Sequence, residues 1–377
     1  MIIIHIVPNL GWGGVESIVR DLSIALKNET NEVHIISLFR NKNKEIENKS
    51  FEEINEKGVN VHFLYNQYQK NNISVFYRLR KILKRIINKN PVILNMHLKW
   101  GVLAGVLGSI GKRNIIRIET YHSNYSRYRL QAFTLKSFID GYIAVSNDAA
   151  KELIIKFNIN IDKVTTIYNG VNSKEIRDQA KDFLQEDYLK ILSSGRLSEE
   201  KGFIYSVMAF NLLLKKNSSV RYKHIGDGPC KESIISLTRD ERFILEGYMN
   251  RSNLFEKIYE YDVVIMPSLW EGNSIFLLEV LTVGKPVIIT DIPSFREVFS
   301  LAPLKDELFR PFDCGVLVKV KDPESIAAGI DYLCKNTDKL RIMADNSYNI
   351  SKDFDIDIVA RRYITFYKKI ISDKSGN

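Results

Sequence analysis

The sequence predicts an α/β protein built from two doubly wound parallel sheets. Three observations carry that prediction. Ile2 to Val7 reads as a buried strand that leads through Pro8 into a glycine turn, Gly11-Trp12-Gly13-Gly14, and then into a helix, which is how a doubly wound domain opens. The same order restarts at Leu189 to Ser193, followed by Gly195-Arg196-Leu197-Ser198-Glu199-Glu200-Lys201-Gly202 and a second helix. A complete strand, helix, strand unit then lies between Asp262 and Thr290. At 377 residues the chain is long enough for two ordinary domains, each burying its own core.

In the first half, Val15 to Lys27 has helical periodicity through Val15, Ile18, Val19, Leu22 and Leu26. Glu32 to Phe39 and Val59 to Leu64 are strands, and the polar stretch Asn41 to Ser50 between them reads as a surface loop. Ser74 to Lys89 spaces Phe76, Leu79, Leu83, Ile86 and Ile87 along one helix face, with Arg78, Arg80, Lys81, Lys84, Arg85 and Lys89 filling much of the rest. Such a basic amphipathic helix packs a core with a solvated back, or lies on a membrane surface. Val92 to Met96 is a strand, Gly101 to Ile110 a small-residue helix, and Asn114 to Thr120 a strand that ends in Tyr121-His122-Ser123. A histidine at the carboxyl end of a parallel strand sits where ligands bind. Tyr125 to Arg129 mixes aromatics with arginines, suited to an anionic or sugar acceptor. Asp140 to Ser146 is a strand running to a helix N-cap, and Val164 to Tyr168 leads to Asn169-Gly170-Val171. Asn172 to Tyr188, partly helical, separates the two halves.

In the second half, Arg196 and Lys201 stand on a loop before a helix, where two cations make a diphosphate clamp or a surface ion-pair cluster. Val220 to Ile225 ends in Gly226-Asp227-Gly228-Pro229, and Phe243 to Glu246 in Gly247-Tyr248. Asp262 to Pro267 is the buried strand before Trp270 to Thr290, WEGNSIFLLEVLTVGKPVIIT. Asn273 or Ser274 suits the N-cap of a helix over Ile275 to Val283, Gly284 its C-terminal glycine, and Val287 to Thr290 the next parallel strand. Glu279 falls within that mostly apolar helix, so its charge needs a partner or a cleft. Gly315 to Val320, Pro323 to Leu333 and Asp357 to Ile371 supply a closing strand, a helix and a final amphipathic helix.

Composition excludes several classes. Hydrophobic content is 45% and charged content 26%, as in a globular protein. Cys230, Cys314 and Cys334 are odd in number and widely separated, which argues against a disulfide framework or a metal spacing and for a reducing compartment. Met1 to Leu10 lacks the basic flank and the length of a signal or an anchor, and no run of eighteen apolar residues occurs. The net charge of +9 is uneven: residues 1–172 carry 24 lysines and arginines against 14 acids. That half can face anionic lipid, a phosphorylated acceptor or nucleic acid, or present a solvated lysine-rich face. No recognition motif accompanies the charge, so nucleic acid is not expected as a partner.

Glu271 and Glu279, with seven residues between them and flanked by Pro267-Ser268, Gly272, Leu278 and Gly284-Lys285-Pro286-Val287, resemble the signature of retaining GT-B glycosyltransferases of family four. The resemblance runs along the whole chain and is most specific over residues 189–297, where Gly195-Arg196-Leu197 and Glu200-Lys201-Gly202 also match. It implies a GT-B fold: a first domain over 1–172 on the acceptor side, a nucleotide-sugar domain over 173–355, the two facing across a cleft, and a helix over 356–377 crossing back. It implies transfer of a hexose-type sugar, UDP-linked, to an acceptor hydroxyl with retention, without metal or other cofactor. The lipid-linked or glycan acceptor would belong to a bacterial surface polysaccharide or glycolipid, and the enzyme to the cytoplasm or the inner face of the membrane. By the same resemblance the catalytic set is His122, Arg196, Lys201 and Glu271. The donor would meet Gly13, Gly14, Gly195, Gly226, Asp227, Gly228, Tyr248, Asn273, Ser274, Ile275 and Glu279, with Glu279 on the ribose hydroxyls and Glu271 on those of the sugar. Asn273-Ser274 stands where the family more often has Phe or Leu with Gly or Pro, which leaves the donor sugar open. A GT-B epimerase, which would turn over the donor without an acceptor, and a non-catalytic sugar-binding subunit are the alternatives; the intact Arg196, Lys201, Glu271 and Glu279 argue against the second.

Overall fold

Runs of isoleucine and valine, buried on both faces, build two parallel sheets of seven strands each. The computed structural model describes all residues except 12, 31, 42–43, 66–72, 88–89, 113, 123–133, 174–186, 217 and 376–377. The chain forms two compact units, Met1–Asn172 with Asp355–Asn377, and Ser173–Phe354.

The first unit runs β1 (Ile2–Val7), α1 (Gly14–Glu29), β2 (Glu32–Ser37), α2 (Lys44–Glu56), β3 (Asn60–Phe63), α3 (Val75–Ile86), β4 (Val92–His97), α4 (Leu98–Ser109), β5 (Ile115–Tyr121), β6 (Gly141–Ala144), α5 (Asn147–Lys151) and β7 (Val164–Thr166). Its strand order is β3-β2-β1-β4-β5-β6-β7, so the winding reverses between β1 and β4. Period-two alternation divides each strand between two cores. Ile2, Ile4, Ile6, Leu94 and Met96 pack towards α3 and α4, and Ile3, Val7, Ile93, Ile116 and Ile118 towards α1. Gly101 and Gly105 let α4 lie close on β1 and β4, because a Cβ at Gly101 would stand 2.8 Å from the Ile6 carbonyl oxygen.

The second unit runs β8 (Leu189–Ser194), α6 (Phe203–Lys215), β9 (Val220–Ile225), α7 (Lys231–Leu237), β10 (Phe243–Glu246), α8 (Arg251–Tyr259), β11 (Val263–Met266), α9 (Ile275–Thr282), β12 (Val287–Thr290), α10 (Pro293–Phe299), β13 (Phe309–Phe312), β14 (Gly315–Val318), α11 (Pro323–Lys335) and α12 (Leu340–Ser351). The order β10-β9-β8-β11-β12-β14-β13 reverses between β8 and β11, and only β13 among these strands runs antiparallel. The last helix, α13 (Ile356–Ser375), returns to the first unit. There it buries Val359, Ala360, Tyr363, Phe366, Tyr367 and Ile370 with α1, and Lys374 ion-pairs with Asp140 at 2.9 Å.

Two expectations need correction. Asn41 to Ser50 is not a loop: from Lys44 it enters α2, whose core face is partly polar. Glu47 is fully buried, bonded to the Asn41 amide at 2.9 Å and ion-paired with Arg40 at 2.6 Å, so a charged contact stands where an apolar stripe would have signalled a helix. The closing strand ends at Val318, two residues early, where it pairs with β13 through Phe309↔Val318. The linker reading over Asn172 to Tyr188 and the acceptor reading of Tyr125 to Arg129 lie largely or wholly outside the described residues. No helix among the described residues is long and apolar enough to cross a membrane.

Candidate functional site

In the second unit the loops after β8, β9 and β11 meet at the carboxyl edge of the sheet, around the point where the winding reverses. Glycines let them cross. Gly226 has φ +150°, and a Cβ there would lie 2.0 Å from the Gly195 carbonyl oxygen. Gly202 has φ +64°, and its Cβ would lie 2.1 Å from the Pro267 oxygen. Each is a close approach of backbone to backbone in a left-handed region that a side chain would obstruct. Gly228 is similarly confined by Leu197.

His224 holds the first of these loops. Its Nε2 lies 3.2 Å from the Gly195 oxygen and its Nδ1 2.8 Å from Ser193 Oγ. A carbonyl only accepts, so Nε2 carries the proton and Ser193 donates to Nδ1. Burial lowers the His224 pKa to about 4, which keeps the ring neutral. The loop so fixed presents Arg196 to solvent, with no hydrogen-bond partner for its guanidinium among the described residues.

Lys201 ends the short 3-10 turn Glu199–Lys201. Its Nζ donates to Glu271 Oε1 at 2.6 Å, and Ser268 Oγ donates to the same oxygen at 2.9 Å. The backbone ties these loops as well, since Leu269 N–H donates to the Glu200 oxygen at 2.8 Å. Ser274 is the N-cap residue of α9 but makes no side-chain cap bond, and Asn273 and Ser274 are both buried beside Ile275, the first residue of the helix. Glu279, one turn further on, accepts from Arg251 Nε at 2.7 Å, with both side chains largely buried. That is the partner its charge required. Asp227 is exposed; it accepts from the Gly228 amide at 2.7 Å and lies 3.4 Å from Lys231, so it stiffens its own turn. Tyr248 is 61% exposed.

In the first unit, Gly13 is the N-cap of α1 and Gly14 its first residue; Trp12 lies outside the described residues. His122 follows the last residue of β5 and is half-buried. His97 Nδ1 lies 2.9 Å from His122 Nε2, and His5 Nδ1 lies 3.0 Å from His97 Nε2. Burial lowers the pKa of His122 to about 4 and of His5 to about 3.

The structure therefore brings Lys201, Glu271, Gly195, Gly226, Gly228 and Gly202 into one loop cluster of the second unit, and sets Glu279 deeper on α9. Gly13, Gly14 and His122 belong to the first unit. Sequence reasoning missed Ser268, Arg251, His224, His5 and His97. Arg251 sits 28 positions before Glu279, at the start of α8, a helix that sequence reasoning did not identify. The histidine row depends on strand register, which one sequence does not display. Among the described residues, no group of three or more His, Cys, Asp or Glu is arranged to hold a metal ion.

Two family models match the chain in succession. Residues 12–175 match the model described as Glycosyltransferase Family 4, and residues 174–350 that described as Glycosyl transferases group 1. An uncharacterised glycosyltransferase of Methanocaldococcus jannaschii is 26% identical over 241 residues, which spans 60% of this chain and 59% of that protein. A Campylobacter jejuni protein is 26% identical over 377 residues, covering 94% of this chain and 95% of its own. It is named N-acetylgalactosamine-N,N'-diacetylbacillosaminyl-diphospho-undecaprenol 4-alpha-N-acetylgalactosaminyltransferase. The crystal structure of Anabaena HepE in complex with UDP and glucose superposes with a TM-score of 0.77 at 15% identity, over 98% of this chain and 99% of that one. With paired winding reversals, a returning C-terminal helix and family models over residues 12–350, the chain belongs to the GT-B glycosyltransferases of family four.

Proposed function

We propose that the protein transfers a hexose-type sugar from a UDP-linked donor to a lipid-linked or glycan acceptor hydroxyl, with retention, in the assembly of a bacterial surface polysaccharide or glycolipid. The observation that carries the reading is the Lys201–Glu271 contact at the winding reversal of the second sheet, beside the exposed Arg196 and the N-terminus of α9. It sets cations for a diphosphate next to a carboxylate for sugar hydroxyls. The Campylobacter relative's name, with its undecaprenol-linked acceptor, and the UDP and glucose bound to HepE support the acceptor and donor classes.

In this reading Arg196 and Lys201 stabilise the negative charge that builds on the departing diphosphate, with the dipole of α9 adding to it. Positive charge is thus supplied without a divalent ion. The acceptor oxygen bonds to the anomeric carbon on the face from which the nucleotide leaves. The carbon–oxygen bond to the β-phosphate breaks, and the acceptor's proton passes to that phosphate. Glu271 holds hydroxyls of the sugar, Glu279 those of the ribose, and His122 contacts the transferred sugar. A basic surface fits delivery of the acceptor at the cytoplasmic face of an anionic membrane. Arg80, Lys84 and Lys112 cluster between α3 and the end of α4, beside the partly exposed Ile110, whose carbonyl Arg80 bonds at 2.9 Å.

The test is incubation with a panel of labelled UDP-, GDP- and other nucleotide sugars, with and without membrane extract and with and without chelator. Label should enter the lipid fraction from a UDP-sugar and survive chelation. Donor conversion with no requirement for extract would mark an epimerase instead.

A further inference from the structure

His5, His97 and His122 sit on three neighbouring strands, and their placement is diagonal. In the register of the first sheet His5 pairs with Asn95, and His97 with Thr120. Each histidine therefore lies two residues beyond the partner of the last, which keeps all three side chains on one face. The row starts at the buried His5, crosses the winding reversal between β1 and β4, and ends at the half-buried His122 on the carboxyl edge. Ring centroids are 5.2 Å apart at both steps, tilted by 31° and 35°, and the nitrogens meet at 3.0 and 2.9 Å. Beneath the row the same face carries a second polar contact. Thr120 Oγ1 donates to Asn95 Oδ1, and Asn95 Nδ2 donates to Tyr367 on α13, both at 2.8 Å.

We propose that His97 and His5 are positioning residues for His122. Together the three rings form one hydrogen-bonded row that locks the orientation and tautomer of the His122 imidazole and leaves only its Nδ1 for the sugar. This rests on the reading of His122 as a sugar contact. A neutral imidazole has one proton, so the ring between two bonds donates one and accepts the other. Once His97 is oriented, both neighbours follow, and all three rings carry the proton on the same kind of nitrogen. The tautomer of His122 is thus tied to His5, whose Nε2 is buried with no hydrogen-bond partner among the described residues. Burial keeps each ring neutral, since the pKa of all three is lowered by desolvation. An imidazole whose second nitrogen is held this way is the usual means of fixing which nitrogen meets a ligand.

Two measurements test the row. In 15N-imidazole spectra of the unliganded full chain, His122 should show one fixed tautomer, shared with His5 and His97. In His97→Phe the His122 signals should average. Steady-state kinetics should show His97→Phe lowering kcat by roughly tenfold to a hundredfold, with donor KM within about twofold, as expected for a misoriented group. His97→Asn, which keeps a hydrogen-bonding atom where Nδ1 stands, should recover part of that loss and guards against a folding defect. In a His122→Ala background, His97→Phe should cost less than about twofold more, because coupled residues are not additive. An unchanged His122 spectrum in His97→Phe, or a full additional loss in the His122→Ala background, would overturn the proposal. The spectra need neither donor nor acceptor, so a failed row is told apart from a failed transferase reading.

Discussion

Lys201 and Glu271 meet at 2.6 Å although 70 positions separate them. The contact joins the loops after β8 and β11, the two strands flanking the winding reversal. Both side chains stay partly open, at 29% and 13% exposure, so the pair can exchange its mutual bond for bonds to a ligand. A cation and a carboxylate in contact do not act independently. That separates Lys201 from Arg196 on the neighbouring turn, which makes no such contact among the described residues.

Arg196→Ala and Lys201→Ala should each lower kcat by about a hundredfold, on the order of 3 kcal/mol of transition-state stabilisation. Donor affinity should change much less, because charge on the leaving phosphate grows during the reaction. The two differ in coupling. Lys201→Ala combined with Glu271→Ala should fall short of additivity by roughly 1 kcal/mol, whereas Arg196→Ala with Glu271→Ala should add. Steady-state kinetics beside calorimetric donor binding decide this. Normal turnover in both cation variants at saturating donor would remove the clamp.

Glu279→Ala should cost stability as well as nucleotide affinity. It leaves the Arg251 guanidinium, 14% exposed, without the carboxylate at 2.7 Å. Breaking one side of a buried pair costs about 3 kcal/mol at the low end, and the residual exposure favours that end. Glu279→Gln keeps an acceptor for Arg251 and should unfold at a denaturant concentration nearer that of the parent. Urea titrations of both variants check the ordering; equal midpoints for Glu279→Ala and the parent would mean that the pair does not hold the fold.

Gly226→Ala should displace the loop that carries Arg196. Its φ of +150° and the 2.0 Å approach to the Gly195 oxygen leave no room for a methyl group unless the backbone moves. The backbone conformation alone costs roughly 1–3 kcal/mol. Gly247→Ala is the control, since a methyl group there would meet nothing within 4 Å. Thermal unfolding should separate the two clearly, and the Gly226 variant should also bind donor more weakly.

What the sequence displayed follows from which signals are local. The βαβ unit around α9 was legible because strand, cap, glycine stop and flanking motif all fall within about thirty residues. The helix at Lys44–Glu56 was not, because Glu47 and Arg40 form its inner contact and polar residues carry no amphipathic signal. The antiparallel β13 hides in a four-residue stretch containing Pro311. At the candidate site the roles assigned to Glu271 and Lys201 came from resemblance, while their contact with each other and that of Glu279 with Arg251 required the fold. The histidine row was illegible for the same reason: three single histidines, spread from position 5 to position 122, share a face only once β1, β4 and β5 are in register.

Acid should destabilise the protein well above the range where carboxylates titrate. Burial lowers His5 to about 3, His62, His122 and His224 to about 4, and His97 well below its ordinary value. Unfolding restores each to about 6.5. Between these values the unfolded chain binds protons that the folded chain refuses, so stability is complete above pH 6.5 and falls as pH drops towards 4. Glu119 works against this, because burial raises it to about 7 and the folded state keeps a proton that the unfolded chain has released. Glu16 and Glu47, also raised by burial, act in the same sense as Glu119, but the five histidines outnumber these three carboxyls, so unfolding takes up protons on balance at pH 5. Urea midpoints at pH 7, 6 and 5 should therefore decline progressively. His5→Phe should flatten the decline by about one proton, since His5 is wholly buried, while also removing its 3.0 Å bond to His97. A midpoint that holds constant from pH 7 to pH 5 would show that the buried histidines accept protons without cost.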